Sequence, residues 1–178
     1  MIDQPSATST SEKDIFWMNH ALALAQEAAD KGEVPVGAIV IYEDSIIGAA
    51  HNLRETLQDP IAHAEILAIR QAADHLGSWR LENCTLYVTL EPCPMCSGAL
   101  WLARIERCVF GCRDPKSGFL GSISNLMDQE QLNHHYKISS GVLEKECSEI
   151  LRTFFRRIRE SKSSKRAKQN SKGYITDE

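Results

Sequence analysis

The stretch Glu91-Pro92-Cys93-Pro94-Met95-Cys96 constrains this chain more than any other. It closes a strand-like apolar run over residues 85–90 and opens a helix-like one over residues 97–104. Two cysteines at i and i+3 on a first helical turn face the same way, toward one small object. Pro94 suits a helix start, where its missing N–H costs nothing. The positive end of that helix favours thiolates over thiols. A Cys-x-x-Cys pair supplies two ligands, so a metal site needs more, and His63-Ala64-Glu65 is the upstream supplier.

Six cysteines in 178 residues are too sparse for a disulfide scaffold. The Ser/Thr-rich start has no apolar signal core, and no run approaches the roughly 18 apolar residues of a membrane span. The expectation is a reduced, cytoplasmic chain with no membrane association, in which Cys-x-x-Cys means metal or redox chemistry. A 43% hydrophobic content supports one core and one domain. The net charge of −4 hides an asymmetry: residues 152–172 hold nine Lys/Arg and one acidic residue, a local +8 against −12 elsewhere. An acidic body with a basic C-terminal arm is the pattern of a phosphate-meeting extension.

Hydrophobic periodicity predicts helices over 14–31, 63–75 and 142–160, besides the one after the cysteines. Apolar β-branched runs predict strands over 36–42, 46–51, 84–90 and 107–111, with a short fifth over 137–140. The first two form a hairpin through Asp44-Ser45. Residues 52–60 and 111–121 read as loops, and 123–135 fits a short helix or a polar connection. Residues 1–11 and 161–178 are polar or charged without an apolar face and are expected to be disordered tails around a domain over 12–160. Alternating strands and helices imply a layered α/β domain with parallel crossovers after the hairpin.

Two predicted helix starts, at His63 and at Cys93/Cys96, stand beyond strand ends, where such sheets carry their chemistry. His, Cys and Cys leave a fourth tetrahedral position open, as in catalytic zinc. Two thiolates neutralise the ion's charge, so such a site benefits from a carboxylate that moves the water's proton, and Glu65 is the candidate. Glu65 is two residues from His63, about 200° around an ideal helix, so both reach one ion only if the helix points end-on at it. Cys108 and Cys112 are roughly 13 Å apart on a strand, too far to share an ion, and read as packing or surface thiols. Cys84 and Cys147 read as core.

His63-Ala64-Glu65 followed by Pro92-Cys93-Pro94-Met95-Cys96 resembles the zinc-dependent cytidine deaminase-like superfamily. Val34-Pro35-Val36-Gly37-Ala38, Ala50-His51-Asn52, Asp59-Pro60, Gly98-Ala99, Arg113-Asp114 and Phe154-Phe155-Arg156 narrow the resemblance to the bacterial tRNA-specific adenosine deaminases, over about residues 12–160. The resemblance implies a three-layer α-β-α domain with a mixed sheet of about five strands. It implies hydrolysis of a cyclic amidine C–N bond, turning the wobble adenosine of a tRNA anticodon into inosine. One Zn2+ per subunit would sit on His63, Cys93 and Cys96, with Glu65 shuttling protons. Asn52, Ala64, Asp114, Phe155 and Arg156 would meet the substrate, an anticodon stem-loop of an arginine tRNA. The resemblance further implies a homodimer. The alternatives are a free guanine or cytosine deaminase, which shares the metal chemistry, a non-catalytic zinc or RNA-binding module, and a redox Cys-x-x-Cys protein. Where relatives often carry a small residue before Arg113-Asp114, this chain has Cys112.

Overall fold

A computed structural model describes the backbone of residues 11–172 and the side chains of residues 11–163. The expectations for residues 1–10 and 173–178 lie outside the described residues.

Ser11 accepts a hydrogen bond from the Asp14 N–H (3.1 Å) and so caps helix α1, Glu12–Asp30. The chain then leaves the helix through Gly32 at φ +79°, a conformation glycine adopts freely. Strands β1, Gly37–Tyr42, and β2, Ser45–His51, pair as the expected hairpin. A single helical turn, α2, Arg54–Leu57, sits inside the segment read as a loop. Helix α3, Ala64–Leu76, precedes strand β3, Thr85–Leu90, and helix α4, Pro94–Leu102, leads to strand β4, Arg107–Cys112. The ambiguous stretch before strand β5, Lys137–Ser140, contains only a 3-10 turn at Leu126–Asp128.

The sheet order is β2-β1-β3-β4-β5, antiparallel up to β3 and parallel from β3 to β5. It is the mixed five-strand sheet expected. Side chains alternate between its faces. Val40, Val88 and Phe110 pack with Ala64, Ala68 and Leu100 of α3 and α4 on one face. Ile39, Tyr87 and Val109 pack with Met18 and Ala21 of α1 and with Cys147 on the other. The three layers follow from that alternation. Cys84, Cys108, Cys112 and Cys147 are all buried in these layers.

Helix α5 runs over Glu144–Lys172, past residue 160, where the helix was expected to end. The apolar face does end near Ile158, but neither Gly nor Pro follows before Gly173. Lys, Arg, Ala and Gln propagate a helix that packing has already nucleated. Among the described residues no helix is long and apolar enough to cross a membrane.

Candidate active site

His63 and Cys93 are both N-cap residues, of α3 and α4, with extended backbones (φ −77°, ψ 150° and φ −73°, ψ 173°). Neither side chain makes a capping hydrogen bond. A residue at this position commonly spends its side chain on a free helix N–H. Here both point it elsewhere, toward each other. His63 Nδ1 lies 3.8 Å from Cys93 Sγ and 3.5 Å from Cys96 Sγ, and the three ligand atoms fall within 4.8 Å of one another. Tetrahedral bonds of about 2.0–2.3 Å to N and S require about 3.6 Å between them, so this donor set fits a small divalent ion.

The end-on view of α3 is what brings Glu65 to the same place. Because His63 caps the helix rather than belonging to it, the 200° argument does not apply, and Glu65 stands in the first turn beside it. Glu65 is 4% exposed and lines the same cleft as His63 and Cys93. Burial pushes its carboxyl above the ordinary range, against its own backbone N–H and the nearby imidazole. His63 is raised by its hydrogen bond to Cys93, with burial opposing. The Cys96 thiol, donating to Cys93, and then His63 bring Cys93 down to about 4 against burial. Cys96 is pushed far up, since it keeps the proton that it shares with Cys93 and is itself buried. A divalent ion entering here displaces that proton.

The cleft is about 660 Å³. Arg54, Arg113, Lys116, Arg152 and Arg159 line it along with Glu65, Glu91 and Asp114. A larger groove of about 1090 Å³ between α1 and α5 lies away from the His/Cys cluster. Of the other residues expected to meet substrate, Asn52 (5% exposed), Asp114 and the exposed Phe155 line the cleft. Ala64 is buried at the first position of α3, behind the lining. Arg156 also lies off the lining and reaches Thr153 Oγ1 at 3.5 Å. Its neighbours one helical step to either side, Arg152 and Arg159, take the cleft face with Phe155, while Phe154 is core. Cys112 does not reach the cleft; its thiol donates to Thr89 O at 3.5 Å.

Two carboxylates that sequence reasoning passed over organise the rim. Glu91, 2% exposed, accepts from the N–H groups of Asp114 (3.1 Å), Leu120 and Ser122 (both 3.0 Å) and from the Ser122 hydroxyl. A Cβ at Gly118 would lie 2.4 Å from Glu91 Cδ, so only glycine lets this loop wrap the carboxylate. Asp114 in turn accepts from the Lys116 N–H (2.9 Å) and the Ser117 hydroxyl. Glu33 plays the corresponding part beneath Asn52. The signal available in sequence was Glu91 directly before Pro92, and Glu33 directly after Gly32.

This arrangement has relatives. The family model for MafB19-like deaminases matches residues 12–159. The chain is 52% identical over 154 residues to the tRNA-specific adenosine deaminase of Bacillus subtilis (strain 168), covering 86% of this chain and 96% of that one. It is 47% identical over 163 residues to the tRNA-specific adenosine deaminase of Haemophilus influenzae, covering 91% and 94%. A solved structure from work on A-to-I editing by tRNA:A34 deaminases at the wobble position superposes with a TM-score of 0.74 at 41% identity, covering 76% of this chain and 99% of that one. With its His63/Cys93/Cys96 cluster and Glu65 set in a cytidine deaminase-like fold, the chain belongs to the MafB19-like deaminases and, among them, to the tRNA-specific adenosine deaminases.

Proposed function

We propose that this protein is a zinc-dependent hydrolase that converts adenosine to inosine at the wobble position of a tRNA anticodon. The observation that carries it is the convergence of two helix N-caps, which sets His63, Cys93 and Cys96 beside the buried Glu65 in a cleft rimmed by five cationic side chains. His63, Cys93 and Cys96 would hold the zinc, whose chemistry when bound is to acidify a water at neutral pH.

The net reaction adds water at C6 of the purine and expels the exocyclic nitrogen as ammonia. Two proton movements must accompany it, and we assign both to Glu65, which lines the cleft. As carboxylate it accepts the proton of the attacking water and passes it to N1 of the ring. It then carries the second proton to the departing amine. Burial supports this role, because a carboxylate drawn out of water takes up a proton more readily than an exposed one. The cationic rim suits an RNA backbone rather than a free base, which has no phosphate to offer them. Phe155, exposed at the cleft edge, gives a base taken out of its stack an aromatic surface to lie against.

On this reading the deaminase domain spans residues 12–160, and the sequence that follows is rich in Lys and Arg. Homodimerisation is supported by α4, where Leu102 is 62% exposed. The cytoplasm is the matching compartment, and the six cysteines, all free, are consistent with it.

The test is inosine formation in an arginine-tRNA anticodon stem-loop with adenosine at the wobble position, read by mass after digestion to nucleosides. Glu65→Ala should keep its zinc and lose at least about a hundredfold in rate, the scale of general acid–base catalysis. Free adenosine, guanine and cytosine serve as parallel substrates. Turnover of a free base with none of the stem-loop would move the assignment to the free-base deaminases.

A further inference from the structure

Glu33 is fully buried, and among the described residues no cation pairs with it. It enters the interior directly after the Gly32 turn, its own N–H held by Ala28 O at 2.9 Å. Three donors converge on its carboxylate. The Thr56 N–H reaches Oε1 at 2.6 Å, and the Glu55 N–H and Asn52 Nδ2 reach Oε2 at 3.2 and 3.3 Å. Burial alone would raise this carboxyl, but the donors hold it below the ordinary range. It is therefore an acceptor and nothing else.

That fixes the Asn52 side chain. An acceptor-only neighbour obliges the amide nitrogen to face Glu33, which leaves the amide oxygen and one N–H for the cleft that Asn52 lines. The Asn52 backbone is held independently. Its N–H donates to Val36 O at 3.0 Å, and its carbonyl accepts from His51 Nδ1 at 2.8 Å. Lys31 Nζ, 2.9 Å from His51 Nε2, makes that nitrogen the acceptor and so puts the ring proton on Nδ1. The same carboxylate pins the turn α2, which carries Arg54 to the cleft rim.

We propose that Glu33 is a positioning residue of the deaminase site, which anchors the Asn52 carboxamide by its nitrogen so that its oxygen meets the bound nucleoside, and fixes the turn that presents Arg54. The proposal rests on Asn52 meeting the nucleoside. Glu33→Gln discriminates well, being nearly isosteric. Its NH2 takes the place either of Oε1, facing the Thr56 N–H, or of Oε2, facing both the Glu55 N–H and Asn52 Nδ2. The Asn52 side chain is the one free to turn away, since the other two are backbone groups.

The experiment is a double-mutant cycle of Glu33→Gln and Asn52→Ala, read as the single-turnover rate on the wobble-adenosine stem-loop. Affinity for the same RNA is measured alongside in a Glu65→Ala background. The expected result is a loss of about tenfold or more in rate for Glu33→Gln, the scale of one hydrogen bond to a charged group. Adding Asn52→Ala should then cost less than about twofold beyond Asn52→Ala alone. RNA affinity should hold within about twofold, because phosphate contacts dominate it. A full rate for Glu33→Gln, multiplying losses in the double variant, or an Asn52→Ala enzyme with unchanged rate would each overturn the proposal while leaving deamination intact. If Glu33→Gln does not fold, the wild-type side-chain amide of Asn52 decides by NMR. Slowed hydrogen exchange relative to exposed asparagines supports the anchor, and exchange at their rate overturns it. Absence of inosine from the wild type would strike the function itself, and the NMR measurement would still answer for Glu33.

Discussion

Glu91 illustrates how much a single side chain does here. It precedes Cys93 by two positions, yet its hydrogen bonds all go to a loop 23 to 31 residues downstream. Glu91→Ala leaves three N–H groups with no acceptor, each bond to a charged group being worth about 1.5–3 kcal/mol. Hydrogen exchange at Leu120 and Ser122 should accelerate by about tenfold or more, while the metal content stays the same. Unchanged protection at those amides would show that the loop holds itself. Among single residues, those tied by short spacing were readable: Cys93 and Cys96 by i, i+3, and His63 and Glu65 by their shared motif. Arg152 and Arg159 line the cleft without having been singled out in the sequence, because which residues of a helix reach a cleft depends on how the helix lies against the sheet.

The elements hold the site by close approach of backbone to backbone. A Cβ on Gly48 of β2 would lie 2.2 Å from Ala68 O of α3, and one on Gly37 of β1 would lie 2.1 Å from Ala21 O of α1. Each glycine lets a helix sit directly on a strand, one on either face of the sheet. Gly48→Ala should push α3 outward at about 1–3 kcal/mol, lowering the melting temperature by about 2–10 °C. Since α3 is capped by His63 and carries Glu65, the same variant should also bind its metal more weakly; full metal affinity at a lowered melting temperature would mean that α3 adjusts locally. The extension of α5 makes a separate prediction. Deleting residues 161–178 should flatten the salt dependence of stem-loop binding by about one unit of log–log slope for each phosphate that the extension neutralises. An identical slope would show that the basic extension does not touch RNA.

Across the whole molecule, one polar network fastens α1 to the sheet. Asp14, 4% exposed, accepts from Tyr87 Oη at 2.8 Å and from both Arg107 guanidinium nitrogens at 2.9 Å, and Arg107 reaches on to Ser139 of β5. Burial works to raise the Asp14 carboxyl, but Arg107 and Tyr87 outweigh it and hold it below its ordinary 3.8. A depressed folded value means stability that is present above the unfolded value and is lost as pH falls through the folded one. Asp14→Asn should therefore cost about 2–4 kcal/mol at neutral pH, and its gap to the wild type in a pH series of melting curves should narrow below pH 3.8. A constant gap would assign the effect to packing alone. The strand and helix order and the hairpin could be read from residue order, because they are written in local periodicity and short spacings, and the family from the resemblance of its motifs. How the start of α3 meets the two cysteines, how far α5 extends, and the work of Glu33, Glu91 and Asp14 could not. The three carboxylates find partners 19 to 93 residues away, and packing in three dimensions settles which distant groups a buried carboxylate must satisfy.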